Sequence, residues 1–163
     1  MGREPELNDD FVDLLRALIA AKVEFVIVGA HALAAHGLPR ATGDMDVLVQ
    51  PSAENAERVL DALRIFGAPL AAHGISRSDF EVPDNVYQIG LPPRRIDLLT
   101  SITGVSFEEA HATRIVVELE GMTLPVLGRD ALVKNKRATG RPKDIVDADA
   151  LESGERSVPS SKG

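Results

Sequence analysis

The spacing of apolar residues in the first part of the chain predicts helices that alternate with short strands. Asn8 is placed to cap a first helix. The apolar residues of this helix fall on one face and are Phe11, Leu14, Leu15, Leu18 and Ile19. Positions 23–28 are mostly β-branched or aromatic, so a short buried strand is expected there, with a second strand at 45–49. Between the strands, the small residues of 30–36 favour a short helix.

The pattern becomes harder to read after the next helix. Ser52 introduces this helix, which ends near Gly67. Its apolar side consists of Ala56, Val59, Leu60 and Leu63. Residues 68–84 show no sustained period and contain two prolines and a glycine, so the sequence predicts a long loop there.

Four further strands and two helices are expected after this loop. The strands are residues 85–89, 95–99, 114–119 and 122–127. A Gly-Leu-Pro-Pro turn joins the first two, and the last two form a hairpin near the sheet edge, where Pro125 is tolerated. Helices at 129–139 and 142–151, separated by Gly140, close the pattern.

These elements predict one α/β (α+β) domain over residues 1–152, with a small mixed sheet backed by helices and two C-terminal helices. A chain of 163 residues with 44% hydrophobic content can bury one core. Residues 153–163, rich in serine, glycine and charge, are expected to form a disordered tail. No apolar run approaches the roughly 20 residues of a membrane span, and the first ten residues lack the apolar segment of a signal peptide. The protein is therefore expected to be cytoplasmic, with no membrane partner.

The amino-acid composition limits the possible metal ligands and the possible sites for nucleic acid. The chain has no cysteine, which excludes disulfides and thiolate zinc sites and leaves oxygen and imidazole ligands. The net charge of −7 means that a nucleic acid would have to bind a local basic patch. Residues 129–143 form such a patch, and within it Lys134 and Lys136 are the best candidates for contact with nucleotide phosphates or an RNA backbone. Alternatively, this face is solvated and paired with Asp144, Asp147 and Asp149.

Three aspartates form the strongest chemical signal. Asp44 and Asp46 lie two positions apart at the start of the predicted strand 45–49, and strand residues two apart face the same side, so both can face one cation. Asp97 interrupts an apolar strand, and it needs either a basic partner, for which Arg94 and Arg95 are nearby in sequence, or the same metal site. Such carboxylates suit magnesium and a two-metal phosphoryl or nucleotidyl transfer. The alternatives are that Asp44 caps a turn, that Asp46 is solvated and that Asp97 only pairs with Arg95.

The turn before the first aspartate is a candidate phosphate site. Gly29 ends a strand, and the backbone N–H groups of Ala30 and His31 can then face an anion. Arg40 and Thr42, just before the aspartates, could reach triphosphate oxygens, although Arg40 could equally be an exposed loop charge. A packed or capping role for His31 is at least as consistent with its position.

Together these motifs resemble the polymerase-β-like nucleotidyltransferase superfamily. The resemblance rests on Gly29-Ala30, thirteen residues, Asp44-Met45-Asp46, and later Ile96-Asp97-Leu98. The segment LGRDALVKNKRATGRPKDIVDADAL is similar to the C-terminal helices of small prokaryotic members, including minimal and toxin-like nucleotidyltransferases of toxin–antitoxin pairs. Family members usually have serine or glycine where this chain has Ala30, so a hydroxyl contact to phosphate is missing while the backbone N–H remains.

The resemblance implies a magnesium-dependent nucleotidyltransferase (EC 2.7.7 type). Such an enzyme moves a nucleoside monophosphate from a triphosphate such as ATP to an acceptor hydroxyl and releases pyrophosphate. Asp44 and Asp46 would bind magnesium on the nucleotide, and Asp97 would complete a second magnesium site and help deprotonate the acceptor. The acceptor would be RNA, a protein or a small molecule, and a homodimer could complete its pocket. The alternatives are a catalytically inactive nucleotide-binding module and an interaction protein that docks an antitoxin-like partner.

Overall fold

The computed structural model describes residues 7–38 and 43–157, with side chains described as far as residue 154. Within these residues the chain forms seven α-helices: α1 (Asp9–Ala20), α2 (Gly29–Ala35), α3 (Ala53–Phe66), α4 (Leu70–His73), α5 (Phe107–Ala112), α6 (Arg129–Thr139) and α7 (Pro142–Ser157). The same residues form six strands: β1 (Phe25–Val28), β2 (Met45–Val49), β3 (Val86–Ile89), β4 (Ile96–Leu99), β5 (Ile115–Leu119) and β6 (Met122–Val126). None of the helices in the described part of the chain is both long and apolar enough to cross a membrane.

All six strands join one mixed sheet, in the order β3-β4-β2-β1-β6-β5. β1 and β2 are antiparallel, whereas β2 and β4 are parallel, as are β1 and β6. The central strands β1 and β2 are almost fully buried, which explains why their sequences are nearly continuous apolar runs. The mixed sheet and its helices confirm the predicted fold class.

Several predicted elements are confirmed closely. Asn8 caps α1 by accepting a hydrogen bond from Phe11 N at 3.0 Å, and Ser52 caps α3 in the same way through Asn55 N at 3.1 Å. The observed bounds of β2 and α6 equal the predicted ones. The hairpin of β5 and β6 lies at the sheet edge, as expected.

Other predictions were wrong. Residues 68–84 are not a structureless loop, because they contain α4 and a 3₁₀ turn at Arg77–Phe80. Phe80 anchors this segment in the core with 1% exposure, and a single buried aromatic leaves no periodic signal. Ile19 is 43% exposed and so does not share the buried face of α1. The short helix α5 was not predicted at all, since it spans only six residues.

The C-terminal helix is longer than expected. α7 continues past the predicted end at Leu151 to Ser157, so the first five residues of the predicted tail are helical. Ala148 and Leu151 are buried against the rest of the protein, and once a helix is anchored, each added residue gains a hydrogen bond at low cost. Residues 158–163 lie outside the described residues.

Buried ion pairs join α6 to α7. Lys136 Nζ contacts Asp144 at 3.1 Å and Asp147 at 3.4 Å, and the three side chains are at most 13% exposed. Burial alone would raise the pKa of Asp144, but hydrogen bonds from Thr139, Lys136 and Arg141 outweigh it and lower this pKa to about 2. These ion pairs hold α6 and α7 together.

Lys136→Met is therefore expected to destabilise the protein by about 3 kcal/mol, because it leaves two buried carboxylates without their shared ammonium group. Lys134→Met is the matched control. Lys134 forms a surface pair with Glu109, so its loss should cost less than about 1 kcal/mol. Urea unfolding at pH 7 measures both values, and equal losses for the two variants would contradict the structural role of Lys136.

Candidate active site

The sheet brings the three aspartates to the same end of its inner strands β2 and β4. Asp46 of β2 pairs in register with Asp97 of the parallel strand β4, so the two carboxylates start from neighbouring positions. On the other side of β2, Val28 pairs with Asp46, which places Gly29, the next residue, beside the same carboxylate. Asp44 immediately precedes β2. The order across the sheet is therefore Gly29, Asp46 and Asp97.

Arg95 binds two of these carboxylates. Its Nε donates to Asp97 Oδ1 at 2.9 Å and its Nη2 donates to Asp97 Oδ2 at 3.3 Å, which is a bidentate pair. The same Nη2 lies 3.5 Å from Asp44 Oδ2, and the backbone N–H of Arg95 donates to Asp44 Oδ1 at 3.1 Å. Of the two partners predicted for Asp97, the basic one is observed: Asp97 pairs with Arg95, and it lies beside Asp46 in the sheet.

The pKa of Asp46 is raised by its surroundings. Burial, the charge of Asp97, a hydrogen bond with Asp97 and the charge of Asp44 raise the pKa of Asp46 to about 6, and Arg95 opposes this shift only weakly. The raised pKa means that the nearby positive charge of Arg95 does not compensate for the burial of Asp46 and for its carboxylate neighbours. Perturbation of this kind by specific charged neighbours is typical of functional sites.

Gly29 is required at the start of α2 for two reasons. Its φ of +70° lies in the left-handed region, which L side chains rarely adopt. In addition, a Cβ atom at this position would overlap Oδ2 of Asp46. The glycine therefore lets the turn approach the Asp46 carboxylate closely.

His31 packs beneath the site. Its ring meets Phe11 edge to face, with centroids 5.7 Å apart, and it hydrogen-bonds the backbone of Asp44. Burial lowers the pKa of His31 below its ordinary value, although the bond to Asp44 opposes this shift. Among the described residues, nothing hydrogen-bonds its buried Nδ1. These contacts favour the packed role over direct contact with a ligand, and they make His31 a support for Asp44.

The donor chemistry fits a hard cation such as magnesium. Carboxylate oxygens are its preferred ligands, and the guanidinium of Arg95 shows that a cation is stable beside Asp97. In the described part of the chain, however, no three side chains converge to form a complete metal cage. Magnesium typically uses one or two carboxylates, completed by waters and substrate phosphates, so Asp44 and Asp46 are the residues that would hold such an ion.

The remaining predicted site residues are not gathered around the aspartates. Lys134 pairs with Glu109 of α5, and Lys136 of α6 forms buried ion pairs with α7. The prediction that Lys136 contacts phosphate does not fit its burial or its two aspartate partners. Arg40 and Thr42 lie outside the described residues.

The basic segment as a whole is largely neutralised. Arg137 pairs with Asp149 and Glu152, and Arg141 pairs with Asp144. The alternative interpretation of this segment, a face paired with the acidic residues that follow it, is thus the one that the contacts support.

The second role of Arg95 was missed. Arg95 was considered only as a partner for Asp97, whereas it also binds Asp44 through both its backbone and its side chain. The contact with Asp44 joins residues 51 positions apart through the pairing of β2 with β4, so no local pattern in the sequence signals it.

Comparison with known proteins supports the fold. No family model matches the chain, and no curated protein matches its sequence. Among solved structures, it is similar to the crystal structure of a "putative nucleotidyltransferase" from Thermotoga maritima, with a TM-score of 0.53. The match covers 96% of this chain and 99% of the other at 16% sequence identity, a level at which similarity shows fold and not activity. The chain therefore has a nucleotidyltransferase-like fold.

Proposed function

We propose that this protein is a magnesium-dependent nucleotidyltransferase. It transfers a nucleoside monophosphate from a nucleoside triphosphate to an acceptor hydroxyl and releases pyrophosphate. The observation that carries this proposal is the register of Asp46 with Asp97 on neighbouring strands, with Asp44 directly before β2 and the Gly29 turn beside Asp46, on a nucleotidyltransferase-like fold. Magnesium bound there would offset phosphate charge and lower the pKa of the attacking hydroxyl.

The order of residues across the sheet supports an assignment of roles. Gly29 and the backbone N–H groups of Ala30 and His31 lie on the β1 side of Asp46 and are proposed to face the triphosphate. Asp44 and Asp46 would hold the ion that binds this triphosphate. Asp97, on the opposite side of Asp46, is proposed to orient the acceptor and to receive its hydroxyl proton at a carboxylate oxygen.

The geometry places limits on the phosphate site. Ala30 offers no side-chain hydroxyl, and Lys136 is occupied elsewhere, so binding of the triphosphate would rest on backbone N–H groups and the metal. Arg40 and Thr42, directly before the aspartates in sequence, remain proposed contacts for the triphosphate. RNA, a protein hydroxyl and a small molecule all remain candidate acceptors, and an antitoxin-like protein or a second copy of the chain remains a candidate partner.

The test uses the purified protein, magnesium, cell extract and each of four triphosphates labelled at the α-phosphate. We expect one of the four to label one class of acceptor, with release of pyrophosphate. Asp97→Asn is the matched variant, since it keeps the side-chain shape and removes the charge, and it should lose the labelling. Binding of nucleotide without any transfer would instead indicate a nucleotide-binding module.

A further inference from the structure

The outer edge of β5 is open to a further strand. β5 is the last strand of the sheet, and among the described residues no strand pairs with its outer side. Its pairing with β6 is continuous from Ile115 to Leu119, so no bulge turns the edge away. The strand also lacks the lysine or proline with which natural proteins often protect such an edge. The unpaired backbone groups of β5 can therefore pair with another strand.

The hairpin turn determines which residues of β5 offer these groups. The turn at 120–121 has two residues with positive φ, and Leu119 pairs with Met122 across it. Leu119 and every second residue before it therefore direct their backbone N–H and C=O groups toward β6. The backbone groups of Val116 and Glu118 point outward, so these residues would form the hydrogen bonds to a new strand.

The side chains along β5 complement a second copy of the same strand. Antiparallel pairing about a two-fold axis at Val116 sets Arg114 of each copy opposite Glu118 of the other. Val116, which is 57% exposed, then lies opposite itself, and Ile115 lies opposite Val117. Every facing pair is thus apolar or of opposite charge, and cross-strand pairs of these kinds stabilise a sheet.

The two charged residues favour this register over its neighbours. Arg114 donates through Nη1 to the carbonyl of His111 at 2.6 Å, and Glu118 accepts at Oε2 from Thr123 at 2.8 Å, so each keeps other polar atoms for a pair. An axis one residue further along the strand would set Val116 opposite Glu118. An axis two residues further would set two glutamates opposite each other, which is unfavourable. β3, the strand at the other edge of the sheet, contains no charged residue.

We propose that β5 pairs antiparallel with β5 of a second copy of this chain, about a two-fold axis at Val116, so that one sheet continues through a homodimer. Backbone hydrogen bonds hold the two edges together, and the pairs between Arg114 and Glu118 fix the register. The dimer also covers the apolar inner side of β5, which is only half-buried in one chain. β1 and β6 separate β5 from the aspartate strand β2, so the inference does not depend on the proposed function.

Two charge reversals test this register. In Arg114→Glu, glutamate faces Glu118, and in Glu118→Arg, arginine faces Arg114, so each homodimer contains two pairs of like charges. In sedimentation velocity, we expect the wild type to dimerise at about 100 µM, and each variant to raise the dissociation constant about tenfold or more. An equimolar mixture of the two variants should regain the wild-type affinity, because each glutamate then faces an arginine. Circular dichroism checks that each variant is folded.

Val86→Lys is the matched control, because it places a charge at the opposite edge of the sheet, on a residue of similar exposure at 52%. It should dimerise like the wild type. The inference would be overturned by a wild type that is monomeric at the tested concentration, or by a dimer that both charge reversals leave unchanged. A mixture of the two folded variants that associates no more tightly than either variant alone would also overturn it.

Discussion

Asp46→Asn should abolish nucleotidyl transfer and at the same time stabilise the folded protein above pH 6. Loss of this carboxylate removes a proposed metal ligand, which is worth several kcal/mol of transition-state stabilisation, so transfer should fall about 10³-fold or more. The stability gain has a separate cause. Burial and the charges of Asp97 and Asp44 disfavour the ionised form of Asp46 and raise its pKa to about 6. Asparagine carries no charge, so the variant avoids this cost.

The stability gain of Asp46→Asn is expected to depend on pH. The pKa of Asp46 is higher in the folded protein than in the unfolded chain, so its ionisation destabilises the fold. This cost is absent below about pH 4, develops between pH 4 and 6, and is complete above pH 6. After allowance for solvent screening, we expect Asp46→Asn to gain about 1–2 kcal/mol at pH 8 and almost nothing at pH 4.

Urea unfolding at the two pH values measures the gain, and label transfer measures the activity. Asp61→Asn is the matched control, because Asp61 is exposed on α3 and only pairs with Arg64 at the surface. It should change neither quantity appreciably. A destabilised Asp46→Asn at pH 8 would show that Asp46 is a structural residue and not a strained site residue.

Gly29→Ala should have the second largest effect. The new methyl group would overlap the Asp46 carboxylate, and the backbone would keep a φ of +70° that alanine disfavours. Strain of this kind costs about 1–3 kcal/mol. Because relief of the overlap must move Asp46, transfer should be lost together with Mg²⁺ binding.

Gly37→Ala separates backbone strain from the contact with Asp46. Gly37 has a φ of +92°, but a Cβ atom there would meet nothing within 4 Å. This variant should be destabilised by a similar backbone term while transfer stays close to wild type. Calorimetry measures the stability of both variants, and label transfer measures their activity. Equal loss of activity in Gly29→Ala and Gly37→Ala would show that the close approach of Gly29 to Asp46 has no functional importance.

The sequence predicted the elements whose signal is local. The caps Asn8 and Ser52 and the strand β2 follow from spacing and side-chain chemistry, and the structure reproduces them, together with the apolar face of α1 except for Ile19. The two-residue spacing of Asp44 and Asp46 is also a local signal, and the structure places Asp44 directly before β2 and Asp46 within it. Local pattern is sufficient in these cases because one element contains the whole signal.

Features that depend on tertiary packing were not predictable in the same way. The register that sets Asp97 beside Asp46 joins residues 51 positions apart in the chain. Lys136 appeared to belong to a basic surface, yet α7 folds back and supplies Asp144 and Asp147 as buried partners. The segment 68–84 is held by one aromatic residue, Phe80, which has no periodic signature.

The most direct test of the proposed function compares triphosphates labelled at the α-phosphate with triphosphates labelled at the γ-phosphate. Nucleotidyl transfer breaks the bond between the α- and β-phosphates, so the α label should appear on the acceptor while the γ label leaves as pyrophosphate. The transfer should require Mg²⁺ and should disappear in Asp46→Asn. Transfer of the γ label, or transfer of the α label that persists in Asp46→Asn, would contradict nucleotidyl transfer at these aspartates.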